Sequence, residues 1–222
     1  LAAIEAMWET EPAPAAFTAI GFPDQEARET HFAVQVPWVM GLIGTRSLTQ
    51  EIPGINELVH RAEQRIRDGI QAYDALEQIR NAPCTAVMDP QARNRFDQHG
   101  HVLVYALLLK RYVDDPRQAT DADIAQAAID TIPPVGPLFW SFRIMVALGV
   151  YFIALMAVFF VLSARHRLEA RRWLLKVAVW SIPLPWLAAE LGWIVAELGR
   201  QPWVIEGVLP TAVAVSNLGA GT

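Results

Sequence analysis

A run of nineteen residues without a charged side chain, from Val146 to Ala164, limits the folds open to this chain more than any other feature. An α-helix rises about 1.5 Å per residue, so a helix of this length can span the hydrocarbon core of a bilayer. Three prolines lie just upstream, at positions 133, 134 and 137, and proline suits the first turn of a helix but not its interior. The pattern predicts a transmembrane helix over 138–164.

A second apolar stretch, 173–198, is interrupted by Pro183 and Pro185. We expect a transmembrane helix with a kink at the prolines, because neighbouring helices can satisfy the carbonyls that prolines leave free. The connecting loop, 165–172, contains four arginines, which is typical of the cytoplasmic side of a membrane. The two helices would form a hairpin whose other end, followed by 199–222, faces the extracytoplasmic side.

Acidic residues are concentrated in the first part of the chain. Residues 1–137 hold 11 Lys/Arg against 19 Asp/Glu, a net charge of −8, whereas residues 138–222 carry a net charge of +3. Only 18% of the whole chain is charged, compared with roughly 25% in average soluble domains. We therefore expect a water-facing extracytoplasmic domain, 1–137, joined to a membrane-embedded part. The acidic domain lacks the basic surface that nucleic-acid binding requires.

Hydrophobic periodicity predicts mostly helix in the first part of the chain. Apolar residues recur at helical spacing over Ile55–Arg80, and an apolar run lies within a second helical stretch, Arg93–Val113. A further short helix is expected over Thr120–Ile129. The opening segment, Leu1–Glu11, is also helix-like.

One short segment of the first part has strand character. His31–Val36 predicts a strand that would pair with Ala16–Ile20 as a short β-hairpin. The fold class is therefore mainly α: part of a transmembrane helical bundle with a long extracytoplasmic loop domain that contains amphipathic helices and this hairpin.

Cysteine and histidine contribute little to the predicted sites. Cys84 is the sole cysteine, so no disulfide can form within the chain and no cysteine-based metal site can be built. None of the five histidines lies in a predicted span. His99 and His101 lie near Asp97, and we interpret them as surface histidines of a helix and not as a metal site. The chain has no initiator methionine or signal peptide, and we expect it to be an internal segment of a longer protein.

One helical face near the end of the second predicted span is unusually polar. Glu190, Trp193 and Glu197 are spaced i, i+3, i+7 and share this face, and Arg200 follows. Carboxylates at membrane depth are costly, so they usually mark functional sites. From the residues alone, Glu197 is a metal ligand, a proton acceptor or the ion-pair partner of Arg200. Glu190 is a residue of a proton path or a protonated core carboxyl, and Trp193 is a packing or interface aromatic.

Arg143 and Met145 lie near the start of the first predicted span. A methionine sulfur there can be an axial haem ligand or an ordinary core or lipid-facing side chain. An arginine there pairs with an acid, a phosphate or a haem propionate, or extends to the interface. Two residues correspond to about 200° around a helix, so the two side chains should point in different directions.

The opening segment carries three glutamates, Glu5, Glu9 and Glu11. They would form an exposed acidic face of a helix. The more specific alternative is that this segment supplies a hydrogen-bond acceptor for a quinol hydroxyl.

Seven short motifs are distributed over nearly the whole chain. They are LAAIE at 1–5, AEQRIRDG at 62–69, LLLKRY at 107–112, FRIMVA at 142–147, WLLK at 173–176, PLPW at 183–186 and GRQPW at 199–203. With these motifs, above all GRQPW together with FRIM, the chain resembles the C-terminal half of subunit I of the cytochrome bd quinol oxidases.

The resemblance implies an electron-transferring enzyme of a bacterial inner membrane. It would oxidise quinol and pass electrons through haems to reduce oxygen to water, generating a proton motive force without pumping. The implied cofactors are a low-spin haem b, a high-spin haem b, and a haem d or a third haem b. The implied partners are a second subunit, small accessory subunits, quinol, oxygen and the lipid membrane. Residues 1–222 alone would be inactive, since several haem ligands would lie upstream.

The resemblance also implies roles at the quinol site and the low-spin haem. Met145 would be an axial ligand of the low-spin haem b, and Arg143 would support that haem. Glu5 would belong to the quinol-binding loop, which would comprise residues 1–137. The lysine partner of this glutamate in the family would immediately precede Leu1.

At the second haem, the resemblance makes Glu197 the axial ligand of the high-spin haem b iron. Trp193 and Arg200 would lie beside that haem, and Glu190 would belong to a proton path. A different class of function fits the same span: a proton- or ion-coupled transporter, because proline-broken helices and buried acids also mark transport sites.

Overall fold

The computed structural model describes residues 1–47, 49–82, 89–167 and 171–215. Cys84, to which one prediction refers, lies outside the described residues, as do the middle of the basic loop at 168–170 and the last residues, 216–222.

Helices form most of the described chain. In chain order they are α1 (Ala2–Glu5), α2 (Ile55–Asn81), α3 (Pro90–His99), α4 (Leu103–Ala106), α5 (Asp121–Ile129), α6 (Val135–Ala164), α7 (Arg172–Trp180), α8 (Leu184–Leu198) and α9 (Thr211–Ala214). Shorter turns are a π-helical turn at Gly41–Thr45 and 3-10 turns at Gly100–Val102, Leu107–Arg111 and Pro116–Gln118. The mainly α fold class is confirmed.

The predicted β-hairpin is also confirmed, with longer strands. Strand β1 (Phe17–Asp24) pairs antiparallel with β2 (Glu29–Val36), and irregular pairing interrupts the register twice. A second, small antiparallel pair joins β3 (Trp203–Ile205) to β4 (Leu209–Pro210).

The predicted helix over Leu1–Glu11 is wrong beyond Glu5. Ala6 has a φ of 51°, in the left-handed region, and this ends α1. The chain then runs alongside the start of α2, where the carbonyls of Met7 and Trp8 accept hydrogen bonds from the backbone amides of residues 55 and 56. Backbone pairing with a distant segment therefore replaces the second and third helical turns.

The helices of the first part largely follow the periodicity. The predictions of α2 and α5 are confirmed, and α5 begins with a capping box between Thr120 and Asp123. The stretch Arg93–Val113 is helical as predicted but consists of α3, α4 and two 3-10 turns instead of one helix. This stretch departs from a regular α-helix where α4 crosses α2. At the crossing, Gly69 of α2 lies directly against the backbone of Val102 and Ala106.

Two helical segments, Val135–Ala164 and Arg172–Leu198, are long and apolar enough to cross a membrane. The first begins three residues before the predicted start. The second is interrupted between Trp180 and Leu184, as the prolines predict. In the interruption, Ser181 shares a hydrogen bond with Tyr151 of α6.

Helix α8 packs antiparallel against α6. A Cβ atom placed on Gly199 would lie 3.7 Å from Leu138 Cδ2, and a Cβ atom placed on Gly192 would lie 3.2 Å from Met145 Sδ. These two contacts are seven residues apart on both helices, so they fix the register. The start of α6 and the end of α8 therefore lie at the same end of the helical hairpin, as we predicted.

Two apolar clusters hold the remaining elements together. The first joins α1, the chain before and after the hairpin, and the first turns of α6; its members include Ala2, Met7, Trp8, Ala15, Met40, Ile52, Ile55, Val135 and Phe139. The second joins α2, α5 and β3; its members include Ala62, Ile66, Leu108, Leu109, Ile124, Ala128 and Trp203. The first cluster brings α1 and β1 onto the start of α6.

Candidate functional site

A buried ion pair connects the opening helix to the first membrane-length helix. Arg143 Nη2 of α6 donates to Glu5 Oε2 of α1 at 3.0 Å, and the two side chains are 6% and 1% exposed. Removing one partner of such a buried pair typically costs about 3–5 kcal/mol, because the other charge is left uncompensated. The pair therefore fixes α1 against α6.

Backbone carbonyls surround the rest of the guanidinium. Arg143 Nε donates to the Thr18 carbonyl at 2.9 Å, and Nη1 donates to the carbonyls of Ile4 at 2.8 Å and Phe139 at 3.2 Å. The guanidinium carbon also lies 3.3 Å from the centroid of the Phe139 ring. A single arginine thus joins α1, β1 and α6 through its planar set of donors.

The Glu5 carboxylate has one satisfied and one free oxygen. The Thr18 amide donates to Oε2 at 3.2 Å, whereas Oε1 is buried without a hydrogen-bond partner among the described residues. An unsatisfied buried acceptor costs about 1–3 kcal/mol, so it needs an explanation, such as a bound water or a catalytic role. Burial raises the pKa of Glu5 above its ordinary value, although the charge of Arg143 opposes the rise.

A cavity of about 350 Å³ borders this carboxylate. Its wall includes Trp8, whose Nε1 donates to Thr30 Oγ1 at 3.1 Å, and the Thr30 hydroxyl donates in turn to the Ala6 carbonyl at 3.0 Å. Gln35 of β2 lines it as well. The volume lies within the range of small-ligand pockets, roughly 300–1,000 Å³. Glu5 therefore lies in the wall of a cavity of ligand size.

The expectation of an exposed acidic face on the opening segment is wrong for Glu5. Glu5 is buried, Glu11 is half-buried, and only Glu9 is exposed. Glu5 is buried because it pairs with Arg143 of α6. The later glutamates do not share its face, because α1 ends at Glu5.

Met145 lies on a different side of α6 from Arg143, which confirms the 200° argument. Its half-buried sulfur faces Gly192 of α8, where even a methyl group would crowd it at 3.2 Å. Glycine at this position lets the sulfur pack closely against the backbone of α8.

The acidic face of α8 points away from α6. Measured from Gly192, the positions of Glu190, Trp193 and Glu197 are rotated by about 100–160° around the helix. Glu190 and Trp193 are exposed, and Glu197 is half-buried. Met145 and Glu197 therefore lie at one end of the hairpin but face different directions, as ligands of two separate groups would.

Arg200 lies beyond the end of α8 and is exposed. Within the described parts of the chain, it forms no ion pair with Glu197, so the simple ion pair that the spacing allowed is absent. Instead Arg200 lines a cavity of about 200 Å³ together with Glu206 and Trp203. A half-buried carboxylate without a protein partner is a suitable oxygen ligand for iron.

In the described ranges, no group of three or more His, Cys, Asp or Glu side chains is placed to hold a metal ion. His99 is half-buried at the end of α3, with its Nδ1 3.9 Å from Asp68 Oδ1, and His101 is exposed. A haem bound through Met145 or Glu197 would use a single protein ligand from this chain on each iron.

Three parts of this site were not predicted from the sequence. Thr18 contributes only its backbone amide and carbonyl, and no sequence pattern indicates such a contribution. Gly192 could have been noticed as the small residue opposite Met145, but only after the register of the two helices was known. The pairing of Glu5 with Arg143 joins residues 138 positions apart, and no local pattern reveals it.

The chain is similar to known proteins along its whole length. Residues 1–222 match the family described as cytochrome bd terminal oxidase subunit I. The chain is 38% identical over 221 residues to cytochrome bd-II ubiquinol oxidase subunit 1 of Escherichia coli (strain K12), covering 100% of this chain and 42% of that protein. It is 35% identical over 94 residues to cytochrome bd ubiquinol oxidase subunit 1 of Bacillus subtilis (strain 168), covering 42% of this chain and 20% of that protein.

The chain thus spans less than half the length of the curated relatives that it matches. The family match nevertheless extends from the first residue to the last. The motifs around Glu5, Arg143, Met145 and Glu197 all lie inside it. This chain belongs to the cytochrome bd terminal oxidase subunit I family.

Proposed function

We propose that the chain is part of subunit I of a quinol:oxygen oxidoreductase in a bacterial inner membrane. The observation that supports this most directly is the buried Glu5 carboxylate, oriented by Arg143 with one oxygen free, in a member of this family. Each quinol would lose two electrons and two protons, and each oxygen molecule would take up four of both to give two waters. Release of protons outside and uptake from inside would generate a proton motive force without pumping.

Glu5 is the proposed proton acceptor of the quinol site. Its free Oε1 would accept a hydrogen bond from a quinol hydroxyl and take the proton as the quinol is oxidised. Arg143 and the Thr18 amide hold the other oxygen, so the carboxylate is oriented before the substrate binds. The cavity beside Trp8 would hold the ring of the substrate.

Met145 and Glu197 are the proposed haem ligands of this chain. Haem iron supplies one-electron transfer and oxygen reduction when it is bound. The thioether of Met145 would bind the iron of a low-spin haem b. Glu197 is half-buried and has no hydrogen bond or ion pair among the described residues, and it would bind the iron of a high-spin haem b, with Trp193 and Arg200 beside that haem. A haem d or a third haem b would take its ligands from other parts of the subunit.

Arg143 would support the low-spin haem indirectly. Its guanidinium donors are already directed at Glu5 and at three backbone carbonyls. It would therefore act by fixing the first turns of α6, two residues before Met145.

The proposed arrangement in the membrane follows the charge pattern. Residues 138–164 and 173–198 would span the bilayer, and the basic loop 165–172 would lie in the cytoplasm. Residues 1–137 would form the extracytoplasmic quinol-binding loop, and 199–222 would return to that side. Glu190 would contribute to a proton path. A second subunit and small accessory subunits would complete the complex, and residues 1–222 alone would be inactive.

A transporter is the second candidate, favoured by the interruption between α7 and α8 and by the acidic face of α8. A dithionite-reduced minus oxidised visible spectrum of the purified full-length complex, together with quinol-dependent oxygen uptake, separates the two. The oxidase predicts haem b bands and oxygen uptake. A folded complex with a flat spectrum would exclude the oxidase and favour the transporter.

A further inference from the structure

The β1–β2 hairpin and the chain that follows it carry a set of exposed apolar side chains, which we call the hairpin face, and within it the cross-strand partners Ile20 and Val34 point to the same side. Its members share high exposure in the described structure: Ile20 53%, Phe22 56%, Phe32 86%, Val34 57%, Val36 41%, Trp38 64% and Leu42 64%. Contiguous apolar patches of this kind mark interaction sites. The opposite side of the same hairpin lines the Glu5 cavity through Gln35 and Thr18.

Backbone conformation adds a second, independent observation. Phe32 has a φ of 51° and Trp38 a φ of 68°, both in the left-handed region. For bulky residues this region is a genuine outlier, and such strain is concentrated at functional positions. Both strained residues present large rings outward, and they are the most exposed aromatics of this face.

The apolar face continues onto the surface of α6. The rings of Phe22 and Trp140 lie 5.7 Å apart, and Trp140 is followed one turn later on the same helical face by Ile144. Both α6 residues are partly exposed, at 38% and 42%. The hairpin thus lies against the end of a membrane-length helix, at the level where tryptophan is enriched at membrane–water interfaces.

We propose that this hairpin face docks on the lipid bilayer, with the rings of Phe32 and Trp38 at the boundary between headgroups and acyl chains. The occupant is phospholipid, because the face is continuous with the apolar surface of α6 and its exposed side chains are mainly aromatic and aliphatic, with His31 opposite Phe22. The charged residues of the hairpin are at its turn, between Asp24 and Glu29. The inference rests on the proposed membrane placement of α6. It implies that the thickness of the β1–β2 hairpin separates the Glu5 cavity from the lipid.

The test uses the full oxidase complex with its native cysteines replaced, Cys84 included. Single cysteines at Phe32 or Trp38 are labelled with a fluorophore, and the complex is reconstituted into phosphatidylcholine vesicles. Brominated phosphatidylcholine serves as the lipid quencher and iodide as the aqueous quencher. Two matched positions act as controls: Ile153, exposed in the middle of α6, and Gln91, exposed on α3.

We expect labels at 32 and 38 to be quenched by brominated lipid, like the label at 153, and to be shielded from iodide several-fold compared with the label at 91. Quenching of 32 and 38 by iodide to the extent seen at 91 would overturn the docking. Shielding from both quenchers would also overturn it, because another protein segment would then cover the face. Failure of brominated lipid to quench 153 would instead refute the membrane placement of α6.

Discussion

At the scale of single residues, Arg143 and Glu5 account for the attachment of the opening segment to α6. The two charges are almost completely removed from water, and each depends on the other. The free Oε1 of Glu5 is the one feature of this pair that packing does not explain. The pair therefore combines a structural contact with a buried acceptor that has no hydrogen-bond partner among the described residues, and our proposal assigns this acceptor to the quinol hydroxyl.

The pH dependence of quinol oxidation tests this combination. A proton acceptor must be ionised, so activity should rise with pH through the pKa of Glu5, which burial places above its ordinary value. Arg143→Gln removes the charge that opposes this rise, so the pKa of Glu5 should increase further and the acid limb of the kcat/KM profile should move to higher pH. Arg65→Gln, at an exposed arginine on α2, is the control and should leave the limb in place. An acid limb that stays fixed or moves to lower pH in Arg143→Gln would contradict the account.

Met145 can be tested at the same scale. Leucine has nearly the same volume but no lone pair, so Met145→Leu should abolish the low-spin haem b signature in the reduced-minus-oxidised spectrum while costing under about 1.5 kcal/mol of stability. Met156→Leu, on the same helix and 60% exposed, is the matched control and should leave the spectrum unchanged. An intact low-spin band in Met145→Leu would mean that Met145 is a packing residue and not a haem ligand.

At the scale of elements, hydrophobic periodicity predicted those helices and strands that are determined by local sequence. The long helix α2, the helix α5 and the β1–β2 hairpin follow from residue spacing and turn chemistry alone. The early end of α1 and the division of 93–113 into short helices depend on distant backbone contacts instead. No propensity argument could anticipate them, because the partners of Met7 and of Val102 lie tens of residues away in the chain.

Gly69 is the clearest example of such an element contact. A Cβ at this position would lie 2.7 Å from the Val102 carbonyl oxygen and 2.9 Å from the Ala106 nitrogen, so α4 would have to shift away from α2. We expect Gly69→Ala to lower the free energy of unfolding by about 1–3 kcal/mol and the Tm of the complex by several degrees. Gly136→Ala, where no atom lies within 4 Å, should change the stability by less than about 0.5 kcal/mol. Equal Tm values for the two variants, measured by thermal unfolding, would disprove this packing.

At the scale of the whole molecule, the start of α6 and the end of α8 bring the candidate site residues to one end of a helical hairpin. Apolar length and the position of prolines predicted both membrane-length helices, and the motifs predicted the family. The contact between Glu5 and Arg143 required the folded chain, because α1 must first be laid on α6 by the apolar cluster around Trp8 and Phe139. Proposed ligands on separate faces of α6 and α8 are the arrangement that two haems would need.

The central claim is that Glu5 takes the quinol proton, and the most direct test is the quinol-dependent oxygen uptake of Glu5→Gln in the full complex. Loss of a positioned proton acceptor typically lowers the rate by about 10²–10⁴-fold. Glu26→Gln, at an exposed glutamate in the turn of the β1–β2 hairpin, is the matched control and should retain wild-type turnover. The account predicts that Glu5→Gln loses at least about 100-fold in turnover while its haem spectrum is retained. Wild-type turnover, or loss of the haems together with the activity, would contradict it.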